Sequence, residues 1–240
     1  MELSIVIVII GLLVAGVVGG RTLVHQSKLR SQITQFRNFE VAYNSFFLEY
    51  NAVPGDFANA QDFWGAGNTD NGDGDGSIEK ADGSIAMANG TFSGEAQHTF
   101  EHLSLAGMIN KQYVSSNVIN IGFPSAKIED GLGILMGSNY GSGAWQQHCD
   151  YRGNGIIMLI IAYGNPSALP ALDPADGMLK LKPADAANID KKIDGGEGDA
   201  IGGKFVGINT LGNLSHTCHN NGAYQVQNDF AACRACYYLR

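Results

Sequence analysis

The sequence predicts an α+β protein in which one long N-terminal helix packs on a small antiparallel sheet. Three features support this. An uncharged apolar run fills residues 3–20, an amphipathic helical pattern continues to residue 51, and short apolar segments bounded by Gly or Asn follow later. These features divide the chain into a transmembrane and amphipathic stalk helix at residues 1–53 and a loop-rich globular domain at residues 54–240.

The apolar run at residues 3–20 has the length of a membrane span. Eighteen helical residues extend about 27 Å, close to the roughly 30 Å hydrocarbon core of a bilayer. Glu2 stands directly before this run. A carboxylate beside a membrane span is costly in lipid and usually marks a function, so we expect Glu2 to have a specific partner.

A helical stripe of apolar residues follows the run, at intervals of three or four. Its members are Leu29, Ile33, Phe36, Phe39, Tyr43, Phe46 and Tyr50. Polar residues occupy the positions between them, which is typical of a helix with one face buried. The turn Pro54-Gly55-Asp56 ends the pattern. Residues 3–51 are therefore predicted to form one continuous helix of roughly 70 Å.

Shorter elements are predicted in the globular domain. Apolar segments at residues 132–136, 155–163 and 204–208 have the composition of strands. Residues 96–106 are predicted to form a helix that Gly107 stops, and residues 183–193 a second helix that Gly195 stops.

Composition indicates one exported domain on a membrane stalk. The formal net charge of −8 argues against nucleic acid as a partner. The 32 glycines, with many Asn and Ser residues, indicate a body rich in loops. The residues that follow Pro54 are enough for one hydrophobic core.

Four cysteines lie in the C-terminal part of the chain: Cys149, Cys218, Cys233 and Cys236. An even number in an exported, loop-rich domain favours two disulfides, in any of three connectivities. A zinc site is the alternative, because His216 and His219 flank Cys218 upstream of the Cys233–Cys236 pair, although the spacing is not a standard one.

An acidic loop matches the ligand pattern of a calcium-binding loop. The predicted ligands are Asn71, Asp73, Asp75, Ser77, Glu79 and Asp82, with Gly76 at the sharp turn. The last ligand is Asp rather than the longer Glu, so we expect weak affinity for Ca²⁺. The alternative is a solvated turn rich in Asx hydrogen bonds.

A second motif suggests a different class of function. His98, Glu101 and His102 match the H-x-x-E-H pattern of one group of zinc proteases. This pattern is short, and no third ligand is identifiable. The alternative to a structural protein is therefore a membrane-anchored zinc metallohydrolase with Glu101 as its base.

Residues 2–13 resemble the N-terminal cleavage and methylation segment of type IV pilins and type II secretion pseudopilins. In that family a short basic leader ends in Gly, and the mature chain begins Phe-Thr-Leu-(Ile or Met)-Glu, of which Met1-Glu2 matches the last two positions. Residues 49–56, His102-Leu103 with Ala106-Gly107, and residues 189–195 are similar to later blocks of a subgroup of pilin-like proteins.

The resemblance implies a pilin-like fold and a structural subunit rather than an enzyme. Such a subunit is held in the inner membrane by one span, with its body in the periplasm, and is then packed into a pilus or a secretion filament. Its partners would be other pilin-like subunits, bound through the N-terminal helix, and prepilin peptidase if the true N-terminus is longer. Glu2 would compensate the N-terminal amine of a neighbouring subunit.

A generic signal-anchor is the simplest alternative for the apolar run, because hydropathy alone does not distinguish it. A cleaved signal peptide fits less well, since the run is too long and lacks a basic start. Arg21, Lys28 and Arg30 follow the span, and by the positive-inside rule they would leave the body in the cytoplasm. A basic leader before Met1 would reverse this count.

We therefore predict that the gene product is longer than this sequence. In-frame codons before Met1 should encode Lys or Arg, then Gly, then Phe-Thr-Leu, because a basic leader would hold the N-terminus in the cytoplasm. Sequencing the DNA upstream of Met1 tests this prediction. An in-frame stop codon directly before Met1 would contradict it.

Overall fold

A helix much longer than the rest of the protein dominates the architecture. The computed structural model describes residues 2–78, 94–116, 118–138, 155–162, 181–196, 198–209, 217–230 and 233–239. The helices are α1 (Glu2–Tyr50), α2 (Ala60–Trp64), α3 (Glu95–Leu105) and α4 (Pro183–Asp194). The strands are β1 (Leu132–Ser138), β2 (Ile156–Ala162), β3 (Phe205–Asn209), β4 (His219–Asn220), β5 (Ala223–Tyr224) and β6 (Cys233–Tyr238). This α+β arrangement confirms the predicted fold class.

Helix α1 is unbroken over its 49 residues, which corresponds to about 73 Å. From Ile5 to Val24 its side chains are exposed, and burial begins at Leu29, within the segment predicted as a stalk. The predicted stripe is confirmed, since six of its seven members are buried and Tyr50 is half-buried. The second half of α1 is therefore part of the core of the globular body.

Aromatic and charged contacts fix α1 to the sheet. The ring of Phe36 stacks on that of Tyr237 in β6, with centroids 5.1 Å apart, and lies 6.3 Å from Phe205 in β3. One turn further along α1, the carboxylate of Glu40 accepts a 2.5 Å hydrogen bond from the Tyr237 hydroxyl and forms an ion pair with Lys204. These contacts join one short stretch of α1 to two neighbouring strands.

Polar side chains of the same stretch of α1 hold a loop of the body. Gln32 is completely buried, and its Oε1 accepts hydrogen bonds from the amides of Lys127 (2.7 Å) and Ile128 (3.3 Å). Gln35 Nε2 donates to the carbonyl of Ser125 at 2.8 Å. Loop 125–128 is thereby tied to α1, although it lies far away in sequence.

The main sheet has four antiparallel strands in the order β1-β2-β6-β3, and β4 pairs with β5 in a separate hairpin. The predictions for β1, β2 and β3 are confirmed to within two residues. Strand β6 was not predicted. It lies between β2 and β3, and its Cys236 is paired with Leu159 of β2 and with Val206 of β3. Its residues are buried from Cys233 to Tyr237, so it lacks the alternation that marks a strand.

Helices α3 and α4 match their predicted positions. Helix α4 has Pro183 in its first turn and ends at Gly195, which adopts the left-handed conformation with φ 72°. This is the usual combination of proline at the start and glycine after the end of a helix. Its first-turn Asp185 contacts His25 Nε2 of α1 at 2.7 Å. Helix α2 is only five residues long and was not predicted.

A disulfide joins Cys218 to Cys233, and Cys236 is also disulfide-bonded. Cys149 and His216 lie outside the described residues. The bridge connects the segment before the β4–β5 hairpin to the central strand β6, and both cysteines are buried. Cys218 and Cys233 therefore have no free thiolates for zinc, and the alternative zinc site built on them is wrong.

The double variant Cys218→Ala/Cys233→Ala should be less stable by about 3 kcal/mol, because the bridge closes a loop with a sequence separation of 15. The measurement is denaturant unfolding of the detergent-solubilised chain under non-reducing conditions. Thiol titration of the denatured wild type is the control and should detect no free thiol. Reactive thiols, or stoichiometric zinc, in the wild type would contradict the disulfide assignment.

Candidate functional site

The first half of α1 is the largest exposed apolar surface in the described chain. Every residue from Ile5 to Leu23 is exposed, and the large side chains are strongly so, as for Leu12 at 70% and Leu23 at 73%. An 18-residue window of this helix has a mean hydropathy of 2.3, and none of it is buried. Helix α1 is thus long and apolar enough to span a membrane. A surface of this size requires lipid or other proteins to cover it.

Glu2 is the first residue of α1. A carboxylate is favoured there, because the first turn of a helix carries the positive end of its dipole. The first basic residue along α1 is Arg21, about 28 Å further on by helical rise. No cation of α1 can therefore neutralise Glu2 within the same helix.

The acidic loop lies at the far end of α1, where the chain turns sharply. Gly55 has φ 97°, and a Cβ there would lie 2.6 Å from the carbonyl oxygen of Glu95. Only glycine permits so close an approach in this conformation. The turn places Asp56 against the loop, where its two carboxylate oxygens accept hydrogen bonds from the amides of Gly74 (2.5 Å) and Gly76 (2.7 Å).

Within the loop, side chains hold the backbone in successive Asx turns. Asp73 Oδ1 accepts from the amide of Asp75 at 3.1 Å, and Asp75 Oδ1 accepts from the amide of Ser77 at 2.7 Å. Asn71 is directed away from these residues, since its Oδ1 accepts from the amide of Gln61. The alternative of an Asx-rich turn thus describes the hydrogen bonding of residues 71–77.

The structure brings together a different set of carboxylates from the predicted one. Asp56, Asp73 and Glu95 each offer an oxygen within 4.8 Å of the others. Only Asp73 belongs to the predicted ligands, while Glu79 and Asp82 lie outside the described residues. Three carboxylates form an all-oxygen donor set, which suits a hard cation such as Ca²⁺ better than zinc.

The sequence contained a signal for Asp56 but not for Glu95. Asp56 follows Pro54-Gly55, which was interpreted only as the end of α1. Glu95 begins α3, where an acidic residue is common for its favourable interaction with the helix dipole. Asp56 and Glu95 come close together because of the turn at Gly55. The spacing of acidic residues in the sequence does not predict that turn.

His98, Glu101 and His102 form a closed hydrogen-bond network. His102 Nδ1 accepts from the amide of Gly55 (2.9 Å), which leaves the proton on Nε2, 3.0 Å from Thr69 Oγ1. The Thr69 hydroxyl donates to Glu101 Oε2 (2.8 Å), and His98 Nδ1 lies 2.7 Å from the same oxygen. The network ties α3 to the turn after α1 and to the start of the acidic loop.

Burial and hydrogen bonding set the charges in this network. Burial, with a smaller effect of His98, lowers the pKa of His102 to about 4, so its ring is neutral at physiological pH. Burial alone would raise the pKa of Glu101. Hydrogen bonds from His98, Thr69 and the amide of Ser115 outweigh this effect and hold the pKa of Glu101 below its usual range.

These hydrogen bonds do not fit the zinc metallohydrolase alternative. A zinc ligand needs a free lone pair, but His102 Nδ1 accepts from Gly55 and its Nε2 carries the proton. A catalytic base must be free to take a proton from water, whereas Glu101 already accepts three hydrogen bonds, and its lowered pKa makes the carboxylate a weaker base. His98, Glu101 and His102 each offer one ligand atom within 4.8 Å of the others, but in the described structure these atoms are engaged in the network, so the metallohydrolase alternative stays a prediction.

Comparisons of this chain with protein-family models, with curated proteins and with solved structures find no match. The family resemblance therefore rests on the N-terminal segment and the later sequence blocks. Function has to be inferred from the two features described above: the exposed half of α1 and the acidic far end of the body.

We expect millimolar Ca²⁺ to raise the melting temperature of the detergent-solubilised chain, and EDTA to lower it. A cation bound between Asp56, Asp73 and Glu95 would relieve their mutual repulsion and stabilise the folded state selectively. Asp73→Ala and Glu95→Gln should abolish the response, while the exposed Asp62→Asn should retain it. Identical calcium responses of wild type and Asp73→Ala would show that the loop is only a turn.

The stability of the protein should depend on the protonation of Asp56. Burial raises the pKa of Asp56 to about 6, with smaller effects of Asp75 and Asp73, whereas the unfolded value is near 3.8. The folded state therefore holds the proton more tightly. The contribution of Asp56 to the free energy of unfolding should fall by about 2 kcal/mol as the pH rises from 4 to 6, and by about 3 kcal/mol over the whole titration, which ends near pH 7.

The lowered pKa of His102 makes stability rise with pH over part of this range, opposite to the effect of Asp56. The test therefore compares wild type with variants, and it is done in calcium-free buffer. The difference in unfolding free energy between wild type and Asp56→Asn should decrease as the pH rises from 4 and should level off above about pH 7. Asp62→Asn, which removes an exposed carboxylate, serves as the control and should show a constant difference. A constant difference for Asp56→Asn as well would contradict the raised pKa.

Proposed function

We propose that this chain is a structural, non-enzymatic subunit of a filament of the type IV pilus or type II secretion kind. Before assembly it is held in the inner membrane by the first half of α1, with the body in the periplasm. One observation carries the proposal. A single unbroken helix has an apolar first half that is exposed from Ile5 onward and a second half that belongs to the core of the body.

The exposed half of α1 can be covered either by lipid or by helices of other subunits. Lipid covers it before assembly. Apolar helices of other subunits cover it in a filament, where helix packing rather than water exclusion supplies the stability. Between Ile5 and Leu23 the only charged residue is Arg21, which stands at the end facing the body. The remainder of this segment can therefore move between lipid and a helical bundle without desolvating a charge.

The second half of α1 gives every subunit the same geometry. Phe36 and Glu40 contact β6, and Gln32 holds loop 125–128, so the helix does not rotate relative to the body. Subunits that bundle their apolar halves would then present their bodies in a fixed orientation around the bundle. This is what a regular filament with an outer shell of globular domains requires.

Glu2 supplies the specific polar interaction in an otherwise apolar assembly. With no cation of α1 within reach, an isolated carboxylate in a helix bundle is costly. The free amine of a processed neighbouring subunit would remove that cost and fix the axial register of the two helices. The proposal therefore assigns Glu2 to assembly and assigns no residue to catalysis.

Glu2→Ala should leave the protein in the membrane but reduce its incorporation into filaments strongly. Membrane insertion depends on the apolar run, whereas assembly in register depends on the charge pair. The measurements are the amount of subunit in the membrane fraction and in filaments sheared from cells. Glu49→Ala, which removes a carboxylate at the other end of α1, is the control and should assemble normally. Wild-type quantities of filaments from Glu2→Ala would contradict the proposal.

A further inference from the structure

Charge is segregated along α1 and the segment that follows it, from residue 21 to residue 78. The first charged residues of α1 after the apolar run are all basic: Arg21, Lys28, Arg30 and Arg37. From residue 38 to residue 78 the chain contains no Lys or Arg, while acidic residues recur throughout. The end of the body nearest the apolar segment is therefore basic along α1, and the far end is acidic.

A basic groove runs beside the middle of α1. Two cavities of about 710 and 580 Å³ share the side chains of Gln35, Asn38, Phe39 and Lys127. Three cations line them, Arg30, Lys111 and Lys127, and no carboxylate does so among the described residues. We call this surface the basic groove.

Lys111 and the floor of the basic groove lack partners of complementary chemistry among the described residues. The ammonium group of Lys111 contacts only neutral groups in the described structure, Asn120 Oδ1 at 3.2 Å and the Tyr113 ring at 5.0 Å. Gln35 Oε1 is buried and accepts no hydrogen bond from the described residues. The groove thus offers positive charge at its rim and an acceptor for an N–H donor at its floor.

An acidic tip lies at the other end of the body. It comprises Asp62, Asp70, Asp73 and Asp75, all exposed, with the side chain of Asp70 at 75% exposure. The adjoining aromatic residues place this tip at the end of α1, since the ring of Phe63 is 5.5 Å from that of Tyr50. Gln35 and Tyr50 are separated by about 22 Å of helix, so tip and groove cannot meet within one copy.

We propose that the acidic tip of one copy docks in the basic groove of the next copy. This inference rests on the proposed filament function and deepens it by naming the surfaces that join successive bodies. The two surfaces are different patches of the same molecule, so the contact is heterologous and leaves an open groove and an open tip at the two ends of any chain of copies. A contact of this kind propagates along a filament.

The chemistry of the two surfaces is complementary. Asp62 and Asp70 would face Lys111 and Lys127, which gives the contact its orientation and suppresses tip-to-tip and groove-to-groove encounters. The loop between these acids contains Gly65 and Gly67, both exposed, so its backbone can approach the groove closely. Because the charges are exposed, the contact should weaken as ionic strength rises.

Charge reversal in the full-length chain tests the contact. Two differently tagged copies are co-expressed, and recovery of one with the other is measured in detergent at low salt. A groove variant, Lys111→Glu/Lys127→Glu, should recover about tenfold less of itself than wild type, and a tip variant, Asp62→Lys/Asp70→Lys, should do the same. When the groove variant is co-expressed with the tip variant, recovery should return, because a lysine tip then meets a glutamate groove.

Matched controls separate this contact from general effects. Lys191→Glu/Lys192→Glu makes the same change in net charge on exposed residues of α4 outside the groove and should associate like wild type. Each variant should melt within a few degrees of wild type, which excludes misfolding. If either reversal leaves recovery unchanged, or the mixed pair is not restored, the tip-to-groove contact is wrong.

The outcomes also distinguish this inference from the proposed function. Wild-type copies that associate through α1 regardless of charge reversal would leave the filament proposal standing and overturn the tip-to-groove contact. Wild-type copies that never associate, with filament levels insensitive to Glu2→Ala, would overturn both. A groove variant that loses only its binding to vesicles of anionic phospholipid would assign the groove to a membrane surface and overturn the contact.

Discussion

The packing of the second half of α1 on β6 and β3 is the constraint on which the rest of the structure depends. Phe36 is completely buried between Tyr237 and Phe205, and one turn later Glu40 binds the hydroxyl of Tyr237 and the ammonium of Lys204. Removing a buried Phe typically costs about 3–5 kcal/mol, a large fraction of the stability of a domain. A helix held this firmly on one half has to project its other half away from the body.

The same packing determines what lies at the far end of the molecule. Helix α1 ends at Tyr50, and the turn at Gly55 brings the chain back against α3. There His102 accepts a hydrogen bond from the amide of Gly55. The buried ring of His102 and the ionised Glu101 then hold Thr69 at the start of the acidic loop. A motif that suggests zinc chemistry in sequence thus positions a charged surface, and that surface lies at the opposite end of α1 from its exposed apolar half.

The sequence predicts elements whose stabilising pattern is local. The intervals of three and four along α1 reflect one buried helical face, and the apolar segments of β1, β2 and β3 are bounded by glycine or asparagine, so these elements were predicted correctly. Strand β6 was missed because Cys233 and Cys236 were considered as disulfide or metal residues, and because almost every residue of the strand is buried. A central strand with both faces covered has no alternation to detect.

The candidate site is a second example of contacts that a local sequence pattern does not predict. Asp73 was predicted as a metal ligand from its spacing. Asp56 and Glu95 lie near it only because the chain turns at Gly55, whose positive φ favours glycine. The basic groove was also beyond prediction, because Arg30, Lys111 and Lys127 meet only after loop 125–128 packs on Gln32 and Gln35. Long-range contacts of this kind follow from the fold and not from any local pattern.

The most direct test of the account is the unfolding of a chain that lacks residues 1–24. Residues 5–24 are exposed and contribute nothing to the core, whereas residues from Leu29 onward are part of it. The truncated chain should therefore leave the membrane fraction and melt at the same temperature as the full chain in the same detergent, whereas a chain that begins at residue 55 should show no cooperative transition. Cooperative melting of the chain that begins at residue 55 at the full-length temperature would contradict the central claim.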